Sequence, residues 1–426
     1  MNSRKRRILE SLLLAALCVA AFYGIRTNQV VIHFGMFAGS NWDAPDDNTN
    51  KIVEKAIEKF EQRYPGVQIE YESGIPKEDY SEWLMEKYLT GTEPDVFFVS
   101  AEDFSKLASR DALLKLGPYI QKDTSFEPQN YYRAALATGT YQNVQYGLPF
   151  EAVPLLMCVN ETLLLKEGIK LPENNWTWGD FHAICRRVTK DRDKNGELDQ
   201  FGVANYDWKD AAYANGAVLF DENGTQNYLG DNKVVNAVNF VYRLDSLTDG
   251  YTVTEKDFEE GKVAFMPMLL SDYRTYHSYP YCVEKYTDFN WDCISMPAGP
   301  QGDNSSKLST MLGVISDRSD HTELSWNFLK MLTYDMEIQT RVARESKGSS
   351  SIQSIVENYD VYEENGQKTR ELMTFGMDKA IAVPEFYNYD EIMKKMEDGV
   401  TEVMSSDKKI EVQMMSLERE LNQYMN

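Results

Sequence analysis

One run of nine residues carries the clearest coordination pattern in the chain: Asp191-Arg192-Asp193-Lys194-Asn195-Gly196-Glu197-Leu198-Asp199. Oxygen-bearing side chains at the first, third, fifth and ninth positions, with Gly at the sixth, suit a looped Ca²⁺ site. The glycine supplies a sharp turn, and alternate side chains face a hard cation. Asp191, Asp193, Asn195 and Asp199 are the expected ligands. The twelfth position is Gly202 rather than Glu, so the pattern is no complete EF-hand. An ordinary Asx-rich turn is the competing reading. Catalytic chemistry is harder to assemble. His33, His182, His277 and His321 are scattered, and the cysteines show no CxxC or Cys/His metal spacing. Cys282 and Cys293 are the pair that an oxidising compartment would allow to bond. Glu102 and Asp103 invite a glycosidase reading, but adjacent carboxylates rarely sit across one bond.

The N-terminus says where such residues work. Arg4, Lys5, Arg6 and Arg7 precede an uncharged run at residues 11–25, which Arg26 closes. Residues 1–26 thus read as a signal peptide or an N-terminal membrane anchor, placing the rest outside the cytoplasm. The run is shorter than the roughly 20 apolar residues of a spanning helix. Leu17 before Cys18 is the wrong size for the residue preceding an acylated cysteine, which argues against lipidation there. The leader carries net +4 in a 426-residue chain of net −23, leaving −27 on the remainder. A body that acidic is poorly suited to nucleic acid or anionic lipid. Its length implies two lobes.

Hydrophobic periodicity supplies the elements that must hold these residues. Residues 30–34 form a β-rich run. Ile52, Val53, Ala56, Ile57, Phe60 and Tyr64 recur at helical spacing, and Pro65-Gly66 ends that helix. A strand at 67–71, a helix at 77–90 and an apolar strand at 96–99 complete a β-α-β-α-β pattern, the signature of a parallel sheet covered by helices. Further strands are expected at 155–159, 263–266 and 312–315. Helices are expected at 161–167, 178–190, 232–247, 321–333 and 335–345. Ile410, Met414, Leu417, Leu421 and Tyr424 mark a last helix, which packs on its own lobe or meets a partner.

Six segments in order resemble the family 1 extracellular solute-binding proteins of ABC importers, the maltose-binding-protein-like group. They are residues 56–67 (AIEKFEQRYPGV), 93–104 (EPDVFFVSAEDF), 146–151 (YGLPFE), 176–180 (WTWGD), 258–266 (FEEGKVAFM), and Met296-Pro297-Ala298-Gly299-Pro300 followed by Gly313-Val314-Ile315-Ser316. The resemblance implies a two-lobed periplasmic-binding-protein-like α/β fold of type II. Each lobe is then a mainly parallel sheet with flanking helices, and ligand lies in the cleft at the hinge. Lobe one is expected at 27–150 plus 298–347, and lobe two at 151–297 plus 348–426. The chain would cross near 148–155, 295–300 and 345–350.

It also implies a site. Sugar C–H faces stack on aromatic rings, and hydroxyls need fixed donors and acceptors. Asn41 and Trp42 follow the first strand, after small residues that let the backbone approach a ligand. Glu102 and Asp103 match polar cleft positions of the maltose-binding group, and Glu151 matches a carboxylate that contacts sugar hydroxyls there. Trp208 follows a strand of lobe two, and Asp272 and Tyr273 follow the FEEGKVAFM strand, where the family carries a platform residue. The implied function is non-catalytic capture of a sugar or oligosaccharide and its delivery to ABC permease subunits. A monomer without nucleic-acid partners is expected. The alternatives are a ligand-presenting subunit of a membrane sensor and an extracellular carbohydrate-active enzyme.

Overall fold

The computed structural model describes residues 29–42, 48–72, 74–277, 281–358, 366–384 and 386–425. The leader, with Cys18, lies outside them. Among the described residues no helix is long and apolar enough to cross a membrane.

The strands are β1 (Val30–Gly35), β2 (Val67–Tyr71), β3 (Val96–Val99), β4 (Thr140–Tyr141), β5 (Val144–Gln145), β6 (Gly147–Asn160), β7 (Phe201–Val203), β8 (Val263–Leu269), β9 (Trp291–Ile294), β10 (Ser306–Ile315) and β11 (Ala380–Ile381). Nine of them join in one mixed sheet of order β2-β1-β3-β10-β6-β8-β7, with β11 on β10 and β9 on β6. The pairs β1–β2, β1–β3 and β7–β8 are parallel. They are the outer strands, linked by covering helices. The crossing strands β6 and β10 run antiparallel to each other, because the chain leaves the first lobe on one and returns on the other.

β6 carries the architecture. Its first half pairs with β10 and its second half with β8 and β9, so one strand belongs to both lobes. Every residue of β6 but Leu155 is buried. That explains its near-continuous apolar sequence, which a strand covered on both faces requires. Successive side chains alternate between cores. Leu156 and Cys158 join the large cluster that fills the first lobe and continues beneath the second. Met157 and Val159 join the opposite cluster, built on Phe181, Phe240 and Phe265.

Side-chain caps set the helix starts. In the WTWGD segment, Thr177 and Asp180 form a reciprocal capping box at the helix Trp178–Val188. The flanking tryptophans are core residues: Trp176 Nε1 donates to the Ser295 carbonyl at 2.9 Å, and Trp178 stacks flat on Phe240. The last helix, Ile410–Met425, buries Ile410, Met414 and Leu421 against its own lobe. Its apolar spacing is therefore intramolecular packing.

The hinge has its own geometry. The β6–β10 register shifts between Met311 and Leu312, leaving Phe150 without an opposed residue. The Gln339 amide donates to the Phe150 carbonyl at 3.0 Å, satisfying the group the bulge displaces. Beside it, Ala152 pairs with Ser349. A Cβ at Gly348 would collide with the Glu151 carboxylate, so only glycine permits this approach. The segment near 148–155 lies in β6, that near 295–300 leads into β10, and that near 345–350 runs from the end of the helix Met336–Glu345 into this loop.

Candidate functional site

A pocket of about 580 Å³ opens where the lobes meet, close to the carboxyl ends of the outer strands. Asn41 and Trp42 follow β1. Ser100, Ala101 and Phe104 open the helix Ala101–Ala108 after β3. Arg133, Ala137 and Thr138 come from the helix beside β4, and Gln142 and Asn143 from the β4–β5 turn. Residues 307–310 of β10, residues 382–384 and Glu222 complete the wall. A hollow of about 630 Å³ on the outer face of the first lobe, beside Leu113 and Tyr119, is built from that lobe alone. Closure would not change it, so the inter-lobe pocket is the better site.

Its walls mix one indole and one phenyl ring with hydroxyls, amides and a carboxylate. Trp42 is held by its own backbone N–H, which donates to Ser40 Oγ at 3.0 Å. The side chain is 8% exposed, and its indole N–H has no hydrogen-bond partner among the described residues. A buried, unmet donor is unfavourable by about 1–3 kcal/mol, a cost that a hydroxyl reaching it would offset. Lys77 Nζ donates to the Asn41 carbonyl at 2.6 Å, fixing the loop that carries both residues. Thr138 and Thr310 share a hydroxyl contact of 2.8 Å across two elements. Gln142 and Asn143 both hold positive φ, 47° and 62°. This is the geometry of a two-residue hairpin whose twist matches its strands. The turn presents Asn143 to the other lobe, where its amide donates to Glu222 at 3.1 Å.

The bacterial extracellular solute-binding protein model matches residues 46–335, well over half of the chain. The chain belongs to that family. Solved structures with the same fold include three carbohydrate-related binding proteins. One, from Arthrobacter globiformis, is described as a cyclic alpha-maltosyl-1,6-maltose binding protein. It is 14% identical, covers 93% of this chain and 98% of its own, and aligns with TM-score 0.76. The sugar-binding protein MalE of Xanthomonas citri is 16% identical over 93% and 97%, with TM-score 0.74. The ABC substrate-binding protein Lmo0181 of Listeria monocytogenes, in complex with cycloalternan, is 19% identical over 93% and 99%, with TM-score 0.68. The architecture is thus the two-lobed MalE-like one.

In this solute-binding protein the expected site residues separate into three groups. Asn41 and Trp42 line the pocket. Glu102 stands in the first turn beside the lining residue Ala101, but its side chain is not among those described. The others lie elsewhere. Asp103 is buried behind the wall, accepting from the Ser81 hydroxyl, while its backbone N–H donates to the cap Ser100. Glu151 is fully buried in the hinge, where Ser346 Oγ and the Gly348 N–H donate to its carboxylate. Trp208 begins a helix capped by Asp207 and packs in the second core. Tyr273 is buried against His277 and Trp291. Asp272 precedes it on the helix Leu270–Tyr276, whose Arg274 donates to the carbonyls of Gly348 and Arg344. Motif position identified residues of the hinge as readily as residues of the cleft.

Sequence reasoning missed Lys77, Arg133, Asn143, Glu222 and residues 307–310. Only the last had a legible signal, lying at the start of a strand already expected at 312–315. Asn143 and Glu222 are far apart in sequence and meet only through the lobe arrangement.

The acidic loop is compact. Asp191, Asp193 and Asp199 bring ligand oxygens within 4.8 Å of one another. Asp191 also accepts from the backbone N–H groups of Gly196 at 2.8 Å and Lys194 at 2.6 Å, and these hold its carboxyl below the usual range. Asn195 Oδ1 accepts from the Glu197 N–H at 2.7 Å. The bridge between Lys190 and Gln200 closes the loop at its base.

Proposed function

We propose that this chain is the sugar-capturing subunit of an ABC importer. It takes a sugar or oligosaccharide outside the cell into the inter-lobe pocket and delivers it to transmembrane permease subunits. The observation that carries the reading is the pocket itself, with walls from both lobes, Trp42 as a ring platform, and Asn143 and Glu222 reaching from opposite sides. Ligand that touches both walls favours the closed form, because those contacts exist only when the lobes meet. The carbohydrate ligands of the MalE-like relatives support the choice of solute. Binding is the whole activity, and no bond in the ligand is made or broken.

The test is a thermal-shift screen against mono- and oligosaccharides, followed by chromatography of the recovered ligand. A sugar that raises the melting temperature saturably and is recovered intact supports the proposal. Turnover of the sugar, or no shift with any of them, defeats it. We further propose that the Asp191–Asp199 loop takes Ca²⁺, on the clustering of its carboxylates. Calcium should raise the melting temperature relative to a chelator, and Asp191→Asn should remove that difference.

A further inference from the structure

Two buried cysteines oppose each other on a ladder that ligand binding does not use. Cys158 on β6 and Cys293 on β9 are direct partners in an antiparallel register, flanked by Met157↔Ile294 and Val159↔Asp292. Directly opposed residues in such a pair have Cα atoms roughly 4.5 or 5.5 Å apart. A disulfide spans Cα separations of about 4.4–6.8 Å. The backbone is therefore already placed for a bond. Opposed side chains share one face of a sheet, and the Cys158 thiol is the hydrogen-bond partner of the Cys293 thiol. Both residues are buried in the same core cluster, Cys158 at 0% and Cys293 at 3% exposed. Cys282 lies instead on the short turn Tyr281–Val283, half-buried and outside the ladder. The pairing of Cys282 with Cys293 that the sequence offered does not match the ladder, where the partner facing Cys293 is Cys158.

We infer that Cys158 and Cys293 are oxidised to a disulfide as the exported chain folds. The inference rests on the extracytoplasmic placement proposed above, where disulfide oxidants act. One thiolate attacks a disulfide oxidant and releases one of its thiols, forming a mixed disulfide. The second thiolate then displaces the other oxidant thiol. In balance, the two cysteines lose two protons and two electrons and form one S–S bond, and the oxidant is reduced to two thiols.

Timing follows from burial. Burial first, then the neighbouring Cys158, pushes the Cys293 thiol well above its ordinary range, so the folded chain holds little of the reactive thiolate. Oxidation therefore belongs to the stage before β9 docks on β6. The bond would join the second-lobe ends of two hinge routes. β6 arrives there from the first lobe, and the chain after β9 returns through β10. Closing the long loop from residue 158 to 293 restricts the unfolded chain and so favours the folded one.

The test is refolding of the purified full chain in a buffer of oxidised and reduced glutathione. Free thiols are then blocked with iodoacetamide in denaturant, and the unreduced digest is read by mass spectrometry. The expected result is a Cys158 peptide linked to a Cys293 peptide, lost on reduction, with Cys185 and Cys282 carrying the label. Cys282→Ser should give the same link, and reduction should lower the melting temperature of the linked chain. Label on both Cys158 and Cys293, or a link through Cys282, overturns the pairing. The same digest of protein taken from the cell exterior should show the link too. Free thiols there, after linkage in vitro, overturn oxidation in the cell, whereas failure to recover the protein from the exterior overturns the placement it rests on, and the sugar screen remains a separate test of binding.

Discussion

Trp42 combines a ring that can stack on a sugar face with an indole N–H that the described protein leaves unmet. Trp42→Phe keeps most of the ring and the packing but removes the donor. Titration calorimetry with the sugar found in the screen should show affinity falling about tenfold, roughly 1.4 kcal/mol. The melting temperature of the free protein should change little. Unchanged affinity would remove Trp42 from the site. Glu151 behaves differently because its carboxylate is spent inside the hinge, on Ser346 and Gly348. Glu151→Ala should lower stability by about 2 kcal/mol without any ligand present, since it strips a buried acceptor from its donors. Urea unfolding of the free protein measures this, and an unaltered midpoint would return Glu151 to the list of residues acting only through ligand.

At the scale of elements, Asp123 ties the turn before Phe126 to the helix Thr322–Tyr334. Trp326 Nε1 donates to its carboxylate at 3.0 Å, and Lys330 pairs with the same oxygen. Burial alone would raise its pKa, but the hydrogen bonds from Lys330, Ser125 and Trp326 outweigh it and hold the carboxyl well below the usual carboxylate range. A folded-state pKa below the unfolded value, near 3.9, stabilises the protein above that pH and loses the contribution as pH falls toward the folded value. Asp123→Asn should therefore lower stability by about 2 kcal/mol at pH 7. The gap to the parent should narrow in melts run from pH 4 downward. A gap constant with pH would assign the effect to packing rather than charge. The β4–β5 hairpin belongs to this scale as well: two residues at positive φ aim Asn143 across the cleft.

The whole molecule turns on β6, which pairs with β10 in one lobe and with β8 and β9 in the other. The strand is common to both lobes, and the bulge at Phe150 and the loop around Gly348 lie where the chain crosses between them. Small-angle scattering should show the radius of gyration falling when sugar is added. Glu222→Ala should weaken that response at limiting sugar, because it removes one wall's contribution to closure. An unchanged radius at saturating sugar would mean that binding does not close the lobes.

Helices at 77–90 and strands at 67–71 and 96–99 were legible because each carries its own period and its own stop signal. The family motifs were legible for the same local reason. WTWGD is a capping box flanked by core tryptophans, and YGLPFE opens a strand buried on both faces. Site residues were less legible. A carboxylate on β6 and a tryptophan after β7 have the right types for a sugar site, yet burial turned one into a hinge anchor and the other into core. The sequence by itself determined the elements, the family and the acidic character of the body, since these depend on local pattern and composition. Only the tertiary structure decided which polar residues face the cleft, that Asn143 meets Glu222, and that Cys293 faces Cys158. Those are contacts between distant segments, set by strand register and lobe packing rather than by any neighbour in the chain.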